Sequence, residues 1–218
     1  METILSGVVG STAYGLSHPG SDIDRLGIFA APTLDVAGLD WSPRKESAVT
    51  THPDITLHEA GKACRLLLKC NPTVTELLWL GESYEVAHPL GEELVRLRGA
   101  FLSGHLVRAA YGGYARSQAK ALFTFPPEKA AKHARHVLRL LRQGRQLLGC
   151  GELQVRVENP DEYWDLGSFP HRALAEKLEA EHDALMSVPS VLPVYSQREL
   201  VVGWLARVRK EFLSGEVE

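Results

Sequence analysis

Gly10-Ser11-Thr12-Ala13-Tyr14-Gly15-Leu16-Ser17-His18-Pro19-Gly20-Ser21-Asp22-Ile23-Asp24 is the stretch on which the fold of this chain turns. It begins with a small, hydroxyl-bearing pair directly after the apolar run from Ile4 to Val9. It ends with two aspartates at i, i+2, just ahead of a second apolar run. An apolar run cut by Gly-Ser reads as a buried strand entering a tight turn. Asp22 and Asp24 flank the start of a strand predicted over residues 23 to 31, where the period of two sends both side chains to one face. A carboxylate at the mouth of an apolar strand is costly without a cation, and its oxygens suit Mg²⁺ or Mn²⁺. Gly10 and Ser11 offer backbone N–H groups and a hydroxyl to phosphate oxygens, and a helix starting there adds the positive end of its dipole. Taken alone, the stretch predicts a phosphate-and-metal site.

Working outward, Asp54-Ile55-Thr56-Leu57-His58 alternates and reads as a third strand with Asp54 at its start. Residues 32 to 47, with two prolines and a glycine, read as a loop. From Glu59 the period becomes helical through Ala60, Ala63, Cys64, Leu67 and Leu68, and it stops at Asn71-Pro72. Glu59 is expected to start that helix, where a carboxylate suits the dipole. A short helix follows over residues 73 to 80, then a strand-like Tyr84-Glu85-Val86. Four longer helices are predicted near residues 103–122, 127–148, 171–187 and 197–213. Phe125-Pro126-Pro127 and the segment from Val188 to Pro193 read as hinges between helices. Strands early and helices late predict an α+β fold. A small mixed β-sheet with flanking helices would occupy residues 1–98, and a helical part, 99–218, would close over the nucleotide site.

At 218 residues, 44% hydrophobic and 23% charged, the chain has the composition of an ordinary globular protein. Its net charge of −3 gives no global attraction for a polyanion, so any such binding needs a local patch. Residues 128 to 150 hold one: Lys129, Lys132, Arg135, Arg139, Arg142 and Arg145 stand against the single acid Glu128. Lys132, His136 and Arg139 fall on one helix face at i, i+4, i+7. That face reads either as a phosphate contact or as a solvated surface paired with Glu152, Glu158, Asp161, Glu162 and Asp165. Tyr111, Tyr114 and Gln118 share a face of the preceding helix, where core packing is favoured over base stacking; Lys120 is a further phosphate candidate. No apolar run reaches membrane-spanning length, and no export signal is read at the N-terminus, so a cytoplasmic protein is expected. The three cysteines show no CxxC spacing and read as reduced, buried thiols. Oligomeric state leaves no mark on the sequence.

Gly-Ser, ten residues, then Asp-x-Asp resembles the DNA polymerase β-like nucleotidyltransferase superfamily. A closer resemblance is to the predicted nucleotidyltransferases linked to RNA repair, and it covers roughly residues 5 to 150. It rests on Gly-Ser-x-Ala-Tyr-Gly, Ser-Asp-x-Asp and Asp54-Ile55-Thr56, then on the run from Asn71 to Leu78. Tyr114-Ala115 and Lys132-x-x-x-His136-x-x-Arg139-Leu140-Leu141 extend it. The resemblance implies a third metal-binding carboxylate at Asp54, beside Asp22 and Asp24. It implies a nucleoside triphosphate held by Gly10, Ser11, Tyr14, Ser21, Lys132, His136 and Arg139. The implied reaction is transfer of a nucleoside monophosphate to a hydroxyl, with an RNA end or a tRNA as acceptor. Two other readings stay open. One is a protein-nucleotidylating (AMPylating) enzyme of the antitoxin type, disfavoured by the C-terminal helices. The other is a non-catalytic nucleotide- or RNA-binding module, disfavoured by the intact Asp22, Asp24 and Asp54.

Overall fold

The computed structural model of the chain describes residues 1–121 and 126–213, and the side chains within them except those of 118–121, 127 and 128. Leu122 and Phe125 therefore lie outside the described residues, as do the side chains of Gln118, Lys120 and Glu128. The fold is α+β, with a five-stranded mixed sheet, flanking helices and a helical C-terminal part. The chain divides into two compact units. One holds Met1–Lys69, Thr73–Phe101 and the segment from Ser196; the other holds Cys70–Pro72 and Leu102–Tyr195.

In the sheet unit the strands are β1 (Glu2–Val9), β2 (Asp24–Ala30), β3 (Ser47–Thr51), β4 (Asp54–Glu59) and β5 (Tyr84–Ala87), in the order β3-β4-β2-β1-β5. Only β2 and β4 run parallel; every other neighbouring pair is antiparallel. Two of the interior strands, β1 and β2, bury Ile4, Leu5, Leu26, Ile28 and Phe29 almost completely, as near-continuous apolar runs do when both faces are covered. β3 has no apolar alternation to announce it, since Ser47-Ala48-Val49-Thr50-Thr51 is an edge strand with no buried residue. The stretch read as a loop carries a short helix, α2 (Thr33–Ala37), and a 3₁₀ turn at Pro43–Glu46.

The helical period from Ala60 is α3 (Ala60–Leu67), which buries Ala60, Ala63, Cys64 and Leu67 on one face. Glu59 caps it, its carboxylate accepting from the Gly61 N–H at 2.7 Å. After α4 (Pro72–Glu76) comes α5 (Pro89–Arg96), which the sequence reading did not single out. Proline at its first position and the His88 ring accepting from the Leu90 N–H start it. The C-terminal helix, α10 (Arg198–Glu211), also belongs to this unit. There Trp204 is fully buried and its indole N–H donates to the Leu90 carbonyl at 2.9 Å.

The helical unit is built on α6 (Gly104–Ala121), α7 (Pro127–Cys150), α8 (Pro160–Asp165) and α9 (His171–Ser187). α7 buries Ala131, Ala134, Val137, Leu138 and Leu141, apolar residues at helical spacing, and ends at Gly151 in the left-handed region. Arg108 closes the end of α9 by donating to the carbonyls of Leu185, Met186 and Val188 at 2.6–2.8 Å. All three cysteines are free. Cys64 and Cys70 are buried, and burial pushes their thiols up to about 12 and about 11; Cys150 departs from the expectation and is exposed. Among the described residues no helix is long and apolar enough to cross a membrane.

Candidate functional site

β1 and β2 are antiparallel, so the end of β1 and the start of β2 meet at one edge of the sheet, where Val9 pairs with Asp24. Immediately beyond Val9 the chain turns into α1 (Gly10–Tyr14). Gly10 adopts φ +69°, and a Cβ at that position would stand 2.0 Å from Asp24 Oδ2. The missing side chain is therefore the space the Asp24 carboxylate occupies. Any other residue at position 10 would meet strain and a clash together. α1 ends at Gly15, also left-handed at φ 72°, and the Leu16 N–H closes the turn onto the Ser11 carbonyl at 2.8 Å.

Asp54 reaches the same edge by a different route. In the parallel β2–β4 ladder Arg25 pairs with Ile55, so Asp24 and Asp54 hold adjacent positions at the two strand starts. Neighbouring positions in register share a face, so both carboxylates leave the sheet on one side. Asp54 is exposed and Asp24 half-buried. Asp22 lies two residues before β2, outside the ladder, and is exposed. Its position is set by the turn, not by strand period. Ser21 closes that turn: the His18 N–H donates to the Ser21 hydroxyl at 2.9 Å, and the Ser21 N–H donates back to the His18 carbonyl at 2.9 Å. Arg25 is engaged elsewhere, bidentate on Glu85 at 3.0 and 2.8 Å.

Hard divalent cations take carboxylate oxygens, and Asp24 with Asp54 fits such an ion in donor chemistry and in strand position. The Gly10 gap, which seats the Asp24 carboxylate at the strand edge, supports the same fit. Among the described residues no three His, Cys, Asp or Glu side chains are gathered closely enough to enclose an ion.

Tyr14 lies at the end of α1, and its hydroxyl donates to Glu76 Oε1 at 2.7 Å. Glu76 is 2% exposed, at the end of α4. Sequence reading passed over this residue as a member of the Asn71–Leu78 run. An acid directly before the apolar Leu77-Leu78-Trp79-Leu80 was the signal that could have marked it.

Lys132, His136 and Arg139 belong to the helical unit, and their environments differ. Lys132 is exposed. His136 is half-buried against Tyr114 (ring centroids 5.5 Å apart), and burial, with Arg139 and His133 nearby, pushes its pKa down to about 4. Arg139 is 3% exposed and donates to Gln143 Oε1 at 2.7 Å. Further along α7, Arg142 donates to both Glu162 oxygens at 2.7 Å and to Glu181, while Arg145 also reaches Glu181. A cavity of about 580 Å³ opens here, lined by Arg139, Arg142, Gln143 and Arg145 among others. The cations of Arg142 and Arg145 are paired within the unit. Tyr111 is fully buried in the helical core, and Tyr114 is partly exposed.

The model of the RNA repair pathway DNA polymerase beta family matches residues 1–182, and the chain belongs to that family. No curated protein matches the chain.

Proposed function

From that membership we propose that the chain is a divalent-cation-dependent nucleotidyltransferase, moving a nucleoside monophosphate from a nucleoside triphosphate to a hydroxyl at an RNA end. The observation that carries this reading is the Asp24 carboxylate seated in the gap of Gly10, beside the Asp54 position of the next strand. A phosphate-binding turn and a carboxylate pair thus share one sheet edge.

Gly10 and Ser11 hold the β- and γ-phosphates through backbone N–H groups and the Ser11 hydroxyl, with Tyr14 and Ser21 shaping the turns on either side. Asp22, Asp24 and Asp54 are the residues that would hold Mg²⁺ or Mn²⁺. Bound there, a pair of such ions would supply polarisation of the α-phosphate and a lowered pKa for the attacking hydroxyl. The acceptor oxygen forms a bond to the α-phosphorus, the bond from that phosphorus to the bridging oxygen breaks, and pyrophosphate leaves. Asp54 takes the hydroxyl proton. Lys132, His136 and Arg139 are proposed phosphate contacts of the helical unit. In the ligand-free protein the low pKa of His136, about 4, keeps its ring uncharged at pH 7.

The test is incubation with each α-³²P-labelled nucleoside triphosphate, Mg²⁺ or Mn²⁺, and total RNA or cell lysate. Label in RNA is the expected result. Label in protein transfers the reading to the protein-modifying alternative. No label from any donor, with nucleotide binding demonstrated in the same buffer, overturns catalysis.

A further inference from the structure

We infer that Glu76 is a positioning residue for the phosphate turn, acting through the Tyr14 hydroxyl; the inference rests on the proposed role of Gly10 and Ser11. α1 is five residues long, too short to be stable by its own hydrogen bonds. Its closing bonds are few: Gly15 N–H to the Thr12 carbonyl at 3.2 Å and Leu16 N–H to the Ser11 carbonyl at 2.8 Å. The turn therefore needs an anchor in the body of the unit. Tyr14, at the last position of α1, reaches Glu76 Oε1 at 2.7 Å across 62 residues of sequence.

Glu76 is a rigid place to hold. Val74, Thr75, Leu77 and Leu78 around it are all 2% exposed or less, and the Tyr84 hydroxyl fixes the next carbonyl, that of Leu77, at 2.7 Å. A carboxyl group buried to this degree requires hydrogen-bond donors. Tyr14 supplies one, so satisfying the acid and fixing the turn are the same contact. The geometry also sets a direction. Tyr14 and Ser11 lie three residues apart on one helical turn, so a hold on Tyr14 sets where the Ser11 hydroxyl and the Gly10 backbone stand. Gly10 in turn abuts the Asp24 carboxylate. Glu76 touches neither substrate nor ion; it acts by keeping the turn in the conformation that receives phosphate.

Two readouts on the full chain test this, using Tyr14→Phe, Glu76→Leu, Glu76→Gln and the double variant Tyr14→Phe/Glu76→Leu. The first is amide hydrogen exchange at Gly15 and Leu16, which needs no activity. The second is the split between KM for the triphosphate and kcat. In Tyr14→Phe and Glu76→Leu both amides are expected to exchange about tenfold faster while amides of β2 are unchanged; KM rises about tenfold and kcat stays within about twofold. Glu76→Gln retains a carbonyl acceptor and is expected within about threefold of wild type on both readouts. The double variant is expected to lose less than the sum of the two single ones, because each single variant already loses the Tyr14–Glu76 contact. Unchanged exchange at Gly15 and Leu16 in Tyr14→Phe overturns the inference, and so do fully additive losses in the double variant. Should Glu76→Leu fail to fold, Tyr14→Phe carries the test, since it removes a single oxygen from a half-buried ring. Faster exchange in the variants, with no triphosphate bound by the wild-type protein, leaves the positioning contact standing and overturns nucleotidyl transfer instead.

Discussion

Replacing Gly10 by alanine places a methyl carbon 2.0 Å from Asp24 Oδ2 at a backbone angle of +69°, so the carboxylate or the turn must move. Gly10→Ala is expected to lose about 1–3 kcal/mol of stability in urea titration and to abolish transfer. A fully active Gly10→Ala would detach the Gly10 gap from function. Asp24→Asn keeps the shape and removes the charge; a fall in kcat of about a hundredfold or more is expected, read in single-turnover assays with Mn²⁺ as well as Mg²⁺. His136 makes a prediction of a different kind. Its folded pKa, about 4, lies below the ordinary 6.5. Between those values the unfolded chain binds a proton that the folded chain refuses, so stability falls as pH drops from 6.5 toward 4. His136→Gln should flatten that part of the pH profile of the urea midpoint, by roughly 1–3 kcal/mol between pH 7 and 4. At the residue scale the sequence was readable wherever turn chemistry decides: Gly10-Ser11 and the aspartates at strand starts. It did not reveal that Arg139 is buried and bonded to Gln143, because helical spacing alone does not say which face another helix will cover.

At the scale of elements, α6, α7, α9 and α10 stand where the period predicted helices, and α9 begins and ends at the residues where the sequence placed it; the short α8 was not predicted. β3 and α5 were not legible. The first has no buried face to impose alternation, and the second is an eight-residue helix whose start depends on a proline and a histidine cap. The basic helix α7 shows how an element acquires meaning from its neighbours. Arg142 is held between Glu162 of α8 and Glu181 of α9, and Lys177 adds to Glu162 at 2.9 Å. Hydrogen bonds from Arg142 and Lys177 hold the Glu162 carboxyl at about 2, well below its ordinary range. Its folded pKa is depressed, so its contribution to stability is complete above about pH 4.5 and is lost as pH falls toward 2. Glu162→Gln should therefore destabilise the protein at pH 6 but cost progressively less at pH 4 and pH 3, with thermal unfolding as the readout. An undiminished penalty at pH 3 would show that the carboxylate charge is not what matters.

Over the whole chain, the sheet unit is discontinuous: the chain leaves it briefly at Cys70–Pro72 and again after Phe101, and returns at Ser196. The returning helix α10 brings Arg209 to Glu59 at 2.6 Å, where the carboxylate is 2% exposed, and the Thr33 hydroxyl donates to the Arg209 carbonyl. Removing one partner of a buried pair leaves the other charge unmet. Arg209→Ala is expected to cost about 3–5 kcal/mol in urea unfolding, whereas Glu59→Gln with Arg209→Met should cost clearly less. The sequence by itself determined the components: apolar runs for the central strands, a glycine turn, three aspartates placed by turn and strand starts, and a helical remainder. These are local properties, fixed by side-chain period and backbone sterics over a few residues. The tertiary structure alone decided which components meet. The parallel pairing of β2 with β4 brought Asp54 beside Asp24, packing of the Asn71–Leu78 run brought Glu76 to Tyr14, and α10 returned to cover Glu59. Those choices come from burying apolar faces against one another across long stretches of chain. An apolar face declares in sequence that it must be covered, but not by what.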